Sequence, residues 1–594
     1  MANKYEGIQK RQENAKAERE EYTPLWTTIS KYSGIKLDTT FYDSSEKNKS
    51  SKLDDYVEDP TAAISINQFG DYLIGVMWGT GKKAVSMKPS RYLLELVEKE
   101  DVQDYFDFAT DNLLYHMNHE RAGFSGALQR YSYGQASFGT SGIGCFPNKA
   151  FSKGIDENAL IFRDYGVDNL AIGEGQSGLV DYEYPRMNWT ASRIVNEFCF
   201  DKGSIDNKKV SELPQKIQDA WNNNNEQKEF MLTCCIFPRD DFDPRLEGKR
   251  GTRFKGIWYL DDEKENVFSE DDYKENPISV ARVSKVRGEI YGRSNSSMLM
   301  SSIQALNFVV SNTIGILEKM EDTAMGMWDG TIAGDNIVDT SSSGLTVFNP
   351  SLSNGQPPMW NLHDVGDPSG IINFLIPYLR DHITTASKVD ALLDFNNEVQ
   401  MTATETIKRD IIRGKSLSGI LIQQKNELLL PNTKRCVSVL WDLGEMGVLP
   451  ENENIESIRE KSPQRIIPEA ILELVEKGKP WYDLDFNNEL ENLINTAELE
   501  KLLKYAQGLQ LASSLDQNMM MSSDMYLWMQ DFYDNLKIQS PLMVGKTKFK
   551  EEKQKIEDMQ TAAMSLEAAK QGSEIGKNDA SANKSNEEAK NVGN

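Results

Sequence analysis

Histidine and cysteine are both scarce in this chain, which holds 4 histidines and 5 cysteines in 594 residues. No C-x-x-C pair occurs, and the adjacent Cys234 and Cys235 are poorly placed to bridge each other. So few imidazoles exclude most chemistry that depends on histidine. The sparse cysteines favour buried thiols in a reducing compartment over a zinc site. The charged N-terminal segment also lacks the apolar run of a secretory signal, so we expect no export.

Positive charge is in deficit, with 66 Lys and Arg against 91 Asp and Glu and a net charge of −25. An acidic surface repels phosphates, which argues against a protein that grips nucleic acid over its whole outside. The same charge is compatible with a smooth acidic passage through which DNA slides. The hydrophobic fraction of 39% is that of an ordinary folded protein, and the length suits about two to four domains.

Loops that bind nucleotides are missing from the sequence. WGTGKK (78–83) is similar to a phosphate loop, but Val76 stands where the loop needs Gly and Lys83 where it needs Ser or Thr. GTSGIG (139–144) lacks the dinucleotide spacing and lies between a predicted helix and a predicted strand, the reverse of the required order. We predict structural turns at both places, no cofactor and no enzymatic activity.

Two acidic clusters keep one catalytic alternative open. Asp240, Asp241 and Asp243 stand together in PRDDFDP, and SEDD (269–272) forms a second cluster. A magnesium-dependent nuclease needs carboxylates of this kind. Both segments have the composition of hydrophilic turns, and 91 acidic residues make chance clusters common. The nuclease therefore stays an alternative to a structural protein.

One pair of histidines has the spacing of a metal site. His116 and His119 share a side of a predicted helix with Glu120. Two imidazoles on one face can bind zinc, but no third ligand is evident and the motif is not H-E-x-x-H. We predict a solvated polar face and no metal.

Hydrophobic period and capping signals divide the chain into helical and β-rich parts. The predicted helices cover residues 1–35, 60–78, 101–135, 190–220, 297–325, 367–393, 402–443, 468–477, 497–514, 524–536 and 546–572. The predicted strands lie in SGIGCFP, ALIFRDY, NLAIGEG, LVDYEYPRM, FMLTCCIFP, FKGIWYLD and VARVSKV, between Gly139 and Arg293. This pattern predicts an α+β fold with helices against antiparallel sheet. Trp26 and Ile29 are the expected anchors of the first helix, and a disordered tail is predicted from Gln571.

The 24 residues between Arg293 and Glu318 contain no charge. Apolar side chains cover nearly all sides of the helix predicted here, so it has to be covered from several directions. A membrane span is the obvious alternative, but 11 of the 24 residues are polar, which argues against hydrocarbon. We predict packing between neighbouring subunits through Leu299, Ile303, Leu306, Val309, Val310, Ile314 and Leu317.

A segment rich in Gly, Ser, Asn and Pro, with short β runs, occupies residues 326–366. Asp367 and Pro368 then have the pattern of a helix N-cap followed by proline at the first helical position. Pro377 should kink the helix that they open. The sequence therefore predicts a compact β insert between two long helices.

Several segments give the chain a family likeness through their order. They are NQFGDYLIGVMW (67–78) with KKAVSMKPS (82–90), YGQASFGTSGIGCF (133–146), VARVSKVRGEIYGRS (280–294) and MTATETIKRD (401–410). Together with the helix, β insert and helix between the last two, they resemble the head-to-tail connector (portal) proteins of short-tailed, podovirus-type bacteriophages. The resemblance covers most of the chain.

The resemblance implies how the chain is divided. Its parts would be a wing (1–293), a first stem helix (294–325), a clip (326–366), a second stem helix (367–392), a tunnel loop (393–401), wing and crown helices (402–545), and a C-terminal charged helix with a disordered tail (546–594). The residues facing DNA in the tunnel loop would be Asp394, Phe395, Asn396, Asn397 and Glu398. Those docking the tail at the clip would be Trp328, Val347, Phe348 and Trp360. An ordinary loop between two helices is the alternative for residues 393–401.

The resemblance also implies a function without chemistry. Portal proteins of this kind form rings of about twelve subunits at one capsid vertex, through which the genome is packaged and ejected. The implied partners are the major capsid and scaffolding proteins, the terminase packaging ATPase, tail adaptor and tail tube proteins, and double-stranded DNA bound without sequence specificity. Hydrolysis would belong to the packaging motor. The protein would be made in the host bacterial cytoplasm and would reside in the virion.

Overall fold

The chain divides into two units, Met1–Ile494 and Asn495–Asn594, and the computed structural model describes residues of the first. The described residues are 5–33, 57–78, 84–93, 100–151, 154–201, 204–243, 246, 248–321, 325–327, 359–361, 367–386, 419–450, 462 and 465–486. The predicted tunnel loop, most of the predicted clip and every helix predicted beyond residue 486 lie outside them.

The described part of the chain contains runs of helices and runs of strands. The helices are α1 (Glu6–Ser33), α2 (Thr61–Trp78), α3 (Glu100–Asn118), α4 (Phe124–Phe138), α5 (Ala191–Phe198), α6 (Asn207–Glu212), α7 (Gln215–Asn222), α8 (Asn295–Glu321), α9 (Ile376–Ala386), α10 (Leu430–Asp442) and α11 (Glu469–Glu476). The strands are β1 (Val85–Pro89), β2 (Thr140–Pro147), β3 (Leu160–Tyr165), β4 (Leu170–Glu174), β5 (Val180–Thr190), β6 (Phe200–Asp201), β7 (Ser204–Ile205), β8 (Glu229–Pro238), β9 (Phe254–Leu260), β10 (Val267–Tyr273), β11 (Ile278–Arg282), β12 (Met325–Met327), β13 (Met359–Asn361) and β14 (Tyr482–Phe486).

Antiparallel sheets form the centre of the described unit. The largest has the strand order β10-β9-β8-β5-β4, and a three-stranded sheet has the order β11-β2-β3. β1 pairs with β14 and so brings Val85 opposite Phe486. Helices lie against these sheets, which confirms the predicted α+β fold.

Two large apolar clusters hold helices and sheets together. One contains side chains of α2, α3, α4, α10, β2 and β14, with Leu73, Tyr131 and Phe486 among the most buried. The other joins the five-stranded sheet to α1, α5, α7, α8 and α9. The predicted anchors Trp26 and Ile29 belong to this second cluster and are buried, which confirms their role in α1.

The helix predicted over residues 101–135 is two helices, so that prediction was wrong in its continuity. α3 ends at Asn118, and a 3₁₀ turn, Glu120–Ala122, precedes α4. His119 Nδ1 accepts the backbone N–H of Arg121 at 3.2 Å, as an N-cap does. Gly123 follows with a φ of +72°, a left-handed conformation that stops a helix and favours glycine.

The helix-like stretch predicted at 190–220 is divided into α5, α6 and α7. The short β6–β7 pair separates α5 from α6. Asp206 caps α6 by accepting the N–H of Lys208 at 2.9 Å. Pro214, which has no N–H to give to a helix, separates α6 from α7.

SEDD (269–272) was predicted in a turn but forms most of strand β10 at the edge of the five-stranded sheet. An edge strand tolerates a hydrophilic sequence because only one of its sides pairs with a neighbour. Asp271 accepts the indole N–H of Trp258 at 2.6 Å across the β9–β10 pair. The acidic run is therefore part of the sheet.

Two prolines widen the helices in which they lie. The segment 367–386 begins at Asp367, whose carboxylate accepts the N–H of Ser369 at 2.9 Å, and it is π-helical over Ile371–Leu375 before Pro377. Residues 425–429 are likewise π-helical before Pro431. Because proline has no N–H for the carbonyl four residues back, the helix shifts to bonds that span five residues. The π-helical turn lies just before Pro377, where the sequence predicts a kink, and the kink itself stays a prediction.

Candidate functional site: a helix pair and its junction with the sheets

The helix pair consists of α8 and the helical segment 367–386. One side of α8 is buried within the chain itself, since Leu299, Ile303 and Leu306 share an apolar cluster with Ile383 of α9. Phe69 of α2 lines the same small gap between the helices. α8 is therefore held from one side by helices of its own chain.

The prediction that α8 packs between subunits has to be corrected for part of its residues. Leu299, Ile303 and Leu306 are 8%, 2% and 0% exposed, Val309 and Val310 are half-buried, and Ile314 and Leu317 are 42% and 45% exposed. The first three are covered by helices of the same chain, so a neighbouring subunit cannot reach them. Ile314 and Leu317 remain accessible.

Large apolar side chains on the helix pair expose more than a third of their surface. They are Met298, Phe308, Ile314, Leu317 and Met320 on α8, and Ile372, Phe374, Leu375 and Tyr378 on the segment 367–386. Phe308 and Phe374 are the most open, at 70% and 77% exposure. An accumulation of this kind marks an interaction surface.

Polar bonds lock the helix pair to the start of α2. Asn307 Oδ1 accepts the backbone N–H groups of Glu58 and Asp59 at 2.9 and 3.1 Å. The Asp59 carboxylate accepts the N–H of Thr61 at 2.9 Å and pairs with the Arg380 guanidinium at 2.7 Å. Burial alone would raise the pKa of Asp59, but the bonds from Thr61 and Arg380 outweigh it and hold the pKa below its usual range. α2, α8 and α9 thus meet at one ionised carboxylate.

Arg282, at the end of β11, is the centre of a buried ion-pair network. Its guanidinium lies 2.6 Å from Glu427 Oε1 and also pairs with Glu174. Its backbone N–H donates to Glu427 Oε2 at 2.9 Å, and the guanidinium donates to the carbonyls of Gly178 and Ile290. Burial alone would lower the pKa of Arg282, but the two carboxylates more than offset this and raise it. The network joins β4, β11 and the π-helical segment 425–429.

The backbone beyond β11 turns tightly into α8. Gly139, at the end of α4, has a φ of +80°, and a Cβ at this position would lie 2.5 Å from the backbone nitrogen of Ser294. Ser294 Oγ donates to the carbonyl of Ser137 at 2.6 Å and accepts the N–H of Ser297 at 3.0 Å. Ser294 thereby caps α8 and ties it to α4. GTSGIG (139–144) is a helix cap followed by strand β2, and it serves this packing.

Tyr291 fixes the same turn to α1. Its ring lies 5.1 Å from that of Trp26 and 5.3 Å from that of Tyr22, measured between centroids. Its hydroxyl accepts the backbone N–H of Ile172 at 3.3 Å. The segment 280–294 is therefore a structural joint between the sheets, α1 and α8.

The ends of the predicted β insert lie side by side. β12 pairs with β13 so that Gly326 lies opposite Trp360. Of the predicted clip residues, Trp360 thus sits on a strand where the insert closes, and Trp328, Val347 and Phe348 lie outside the described residues. The predicted tunnel-loop residues Asp394, Phe395, Asn396, Asn397 and Glu398 also lie outside them.

The acidic clusters considered for catalysis carry arginines beside them. Asp241 Oδ1 lies 3.9 Å from Arg239, and its Oδ2 lies 3.8 Å from Arg250. Arg239 also pairs with Asp272 of β10. Within the ranges that the structure describes, no group of three or more His, Cys, Asp and Glu side chains could hold a metal ion.

His116 is buried, so the solvated face predicted around it was wrong. Its Nδ1 accepts the backbone N–H of Ala159 at 3.3 Å, and its Nε2 lies 3.7 Å from Glu445. Burial lowers the pKa of this imidazole. His119, as the cap of the 3₁₀ turn, has a separate structural task.

α8 is long and apolar enough to cross a membrane by length and composition, with a mean hydropathy of 1.2 over its most apolar window. One third of that window, 33%, is buried inside the chain. Ser301, Gln304, Ser311 and Asn312 are exposed between the apolar side chains. Exposed polar side chains at mid-helix suit contact with protein or water better than contact with lipid.

Sequence reasoning missed the partners that fix the helix pair. Nothing near Glu427 or Asp59 in the sequence indicates that they would meet Arg282 and Arg380, from which they are separated by 145 and 321 residues. An arginine inside the β-rich run VARVSKV was the one available signal, because a charge in a buried strand needs a partner.

A comparison with known protein families assigns the chain that contains this helix pair to a family. The sequence profile of the bacteriophage head to tail connecting proteins matches residues 6–463, from the first residue of α1 to beyond α10. The match spans well over half of the chain, which therefore belongs to this family of structural portal proteins at the junction between phage capsid and tail. A search of curated proteins gave no match.

Proposed function

We propose that copies of this chain assemble into a ring of about twelve subunits around a channel for double-stranded DNA at one vertex of a short-tailed phage. The observation that carries the proposal is the exposed apolar surface of the helix pair, which corresponds to the stem. In the ring, the stem helices of neighbouring subunits cover these side chains.

The distribution of the exposed side chains supports neighbours on two sides. At 3.6 residues per turn, Phe308 points about 180° away from Leu299 around the axis of α8. Leu317 comes about five turns after Leu299 and points in the same direction, but it lies beyond the part of this side that the chain covers. Leu299, Ile303 and Leu306 occupy the side that the same chain covers. Apolar side chains thus remain exposed opposite the covered side and on the continuation of the covered side, which suits a helix that lies between two other subunits.

The charge of the chain supports a channel through which DNA passes without binding. About 12 copies at −25 each give a ring of roughly −300, which repels phosphates and leaves few deep binding wells along the path. The roles of the tunnel loop and the clip, which lie mostly outside the described residues, follow from the family resemblance. Residues 393–401 would form the tunnel loop, and the clip would dock tail adaptor proteins.

Assembly is tested by negative-stain microscopy and light scattering on the purified protein. We expect rings with a central hole and a mass of about twelve times 67.2 kDa. Leu317→Asp should yield folded chains that fail to close into rings, because a charge would be buried at the subunit contact. A compact dimer or tetramer without a channel would contradict the proposal.

Leu246→Asp is the matched control for this experiment. Leu246 lies between β8 and β9 and is 46% exposed, against 45% for Leu317. The same charge is thus introduced at the same exposure, away from the helix pair. Rings from Leu246→Asp but not from Leu317→Asp would assign the defect to the stem contact, whereas equal ring formation by both would refute it.

The hydropathy of α8 supports one second candidate, a membrane pore. The two functions differ in their need for detergent, since a pore-forming helix leaves its apolar surface to lipid. A portal ring should be recovered in the soluble fraction without detergent. Recovery only from detergent-treated membranes would favour the pore.

The proposed roles of the tunnel loop in DNA retention and of the clip in tail attachment are tested by a packaging experiment. Deletion of residues 393–401 should leave ring assembly intact and reduce the DNA retained in filled heads. Unchanged DNA content would contradict the tunnel loop. Replacing Trp328 and Phe348 by Ser should leave packaging by the terminase intact and prevent attachment of the tail, if the clip docks tail proteins.

A further inference from the structure

A polar pocket of about 460 Å³ lies on the described unit, away from the helix pair. Residues from the end of β2, from β3, from α5 and from the turn before β8 line it. Three of its side chains are cations, Lys149, Arg163 and Arg193, and Glu197 is its one carboxylate. The pocket thus carries a local charge of +2 in a chain of net charge −25.

Glu197 is already shared by two of the three cations. It lies 3.5 Å from Lys149 Nζ and 3.4 Å from a terminal nitrogen of Arg163. Arg193 makes no side-chain hydrogen bond or ion pair with the described residues. Its guanidinium lies 4.4 Å from the centre of the Trp189 ring, and that of Arg163 lies 5.3 Å from the same ring.

Two guanidinium groups that contact the same ring repel each other, and an anion bound between Arg163 and Arg193 would relieve this repulsion. Burial, with Arg163 next in importance, lowers the pKa of the Arg193 guanidinium, as expected for a cation short of negative charge. Aromatic packing holds the ring in place, since Trp189 lies 5.7 Å from Trp258, measured between centroids. The cations are therefore presented on a rigid base, which lowers the entropy cost of binding.

The backbone N–H groups of Ser192 and Arg193, at the start of the helix beside the pocket, already have acceptors among the described residues. At the start of α5, the N–H of Ser192 donates to the carbonyl of Glu226 at 3.0 Å, and that of Arg193 donates to Thr190 Oγ1 at 3.4 Å. Recognition would therefore depend on the side chains. Two guanidinium groups and an ammonium group, from three separate segments, offer donors to several oxygens of one anion.

We propose that this pocket, defined by Lys149, Arg163 and Arg193, binds a phosphate group, either free or as part of a nucleic-acid backbone. A tetrahedral phosphate offers more acceptor oxygens than a carboxylate and carries more charge than a single carboxylate when free. Bound phosphate neutralises the excess positive charge and gives Arg193 an acceptor. The site is independent of ring formation, because every residue named belongs to one chain.

The test measures binding of inorganic phosphate and of a short DNA duplex to the full-length protein and three variants. Arg193→Gln should weaken phosphate binding at least about fivefold, because a charge-assisted hydrogen bond is lost. Glu197→Gln should strengthen it, because the competing carboxylate is removed. Isothermal calorimetry at low salt gives the affinity for phosphate, and fluorescence anisotropy gives the affinity for the labelled duplex.

Arg465→Gln is the matched control. Arg465 is also an exposed arginine over an aromatic ring, 5.8 Å from the centre of Phe108, but it lies outside the pocket. Its replacement should leave both affinities unchanged. A circular dichroism spectrum and a thermal unfolding curve like those of the unmodified protein show that each variant is folded.

The pattern across variants decides the proposal and the source of the phosphate. If the affinity order of Glu197→Gln, unmodified protein and Arg193→Gln holds for both probes, the pocket takes phosphate from DNA. If it holds for inorganic phosphate alone, the ligand is free phosphate. Equal phosphate affinities in all four proteins would overturn the proposal. So would the same order for polyglutamate without any phosphate binding, which would make the pocket a contact for an acidic protein surface.

Discussion

Arg282 and Glu427 stand 145 residues apart in the sequence, yet their side chains meet at 2.6 Å in the interior of the protein. The contact connects the end of β11, just before the turn into α8, with the π-helical segment that precedes α10. Both residues are nearly inaccessible to solvent. Arg282 therefore holds the segment 425–429 on the sheets beside the turn into α8.

Glu427→Ala should lower the free energy of unfolding by about 3 kcal/mol, because it leaves a buried guanidinium with one carboxylate fewer. Glu473→Ala is the control, since Glu473 forms an exposed ion pair with Lys477 on α11. Its loss should cost less than about 1 kcal/mol. Urea unfolding of both variants measures the difference, and equal midpoints would show that the buried pair adds nothing.

The ion pair between Asp59 and Arg380 predicts an energetic coupling between the start of α2 and α9. Arg380→Gln leaves the fully buried Asp59 carboxylate without its cation and should cost about 2 kcal/mol. In a double-mutant cycle with Asp59→Asn, we expect a coupling energy of about 1 kcal/mol or more. Additive effects of the two replacements would mean that the pair is not a stabilising contact.

Glu183 predicts a dependence of stability on pH. Its side chain is fully buried on β5, one oxygen accepts from Asn276 at 2.6 Å, and burial raises its pKa well above the ordinary value. The folded protein therefore keeps a proton on Glu183 that the unfolded chain loses above about pH 4.5. Stability should fall as pH rises from that point to the raised pKa, by at most about 1.4 kcal/mol per pH unit.

Glu183→Gln removes this proton and with it the pH dependence. Its unfolding free energy, relative to the unmodified protein, should increase between about pH 5 and about pH 8. Glu229→Gln, at an exposed position on the adjacent strand β8, is the control that separates the burial of a carboxyl group from its loss. A constant difference between Glu183→Gln and the unmodified protein across this range would contradict the prediction.

Replacing Gly139 and replacing Gly154 distinguishes the cost of a left-handed backbone conformation from the cost of a steric collision. Both have positive φ, +80° and +67°, but a Cβ on Gly139 would collide with backbone at the start of α8, whereas one on Gly154 meets nothing within 4 Å. Gly154→Ala should cost about 1 kcal/mol from the backbone conformation alone. Gly139→Ala should lower the thermal midpoint clearly further, and equal shifts would mean that the close approach to Ser294 is not rigid.

The elements that sequence could predict are those whose signals are local. The caps at Asp367 and the burial of Trp26 and Ile29 follow from residues within a turn or two of each other, and they are confirmed. The break at Gly123 was missed because a single left-handed glycine interrupts an otherwise continuous helical pattern. SEDD was misassigned because an edge strand needs little hydrophobicity to pair.

The sequence predicts that α8 is covered on several sides. It does not predict which of its apolar residues the same chain covers and which stay open to another subunit. An uncharged helix reveals that it will be covered, but hydrophobic spacing does not tell which chain covers it. Leu306 and Leu317 look alike in the sequence, yet the first is buried in the cluster that α8 shares with α1, α9 and the five-stranded sheet, and the second is exposed. The decision depends on elements that are distant in sequence, as does the pairing of Arg282 with Glu427.

The pairing of β12 with β13 brings the two ends of the intervening stretch together. Met325 lies opposite Asn361 and Met327 opposite Met359, so the stretch between the two strands begins and ends at neighbouring positions. This strand pair therefore joins the end of α8 to the chain that leads into the segment opening at Asp367. On the proposed role of the clip in docking the tail, a phage could change its tail contacts while this strand pair stays the same.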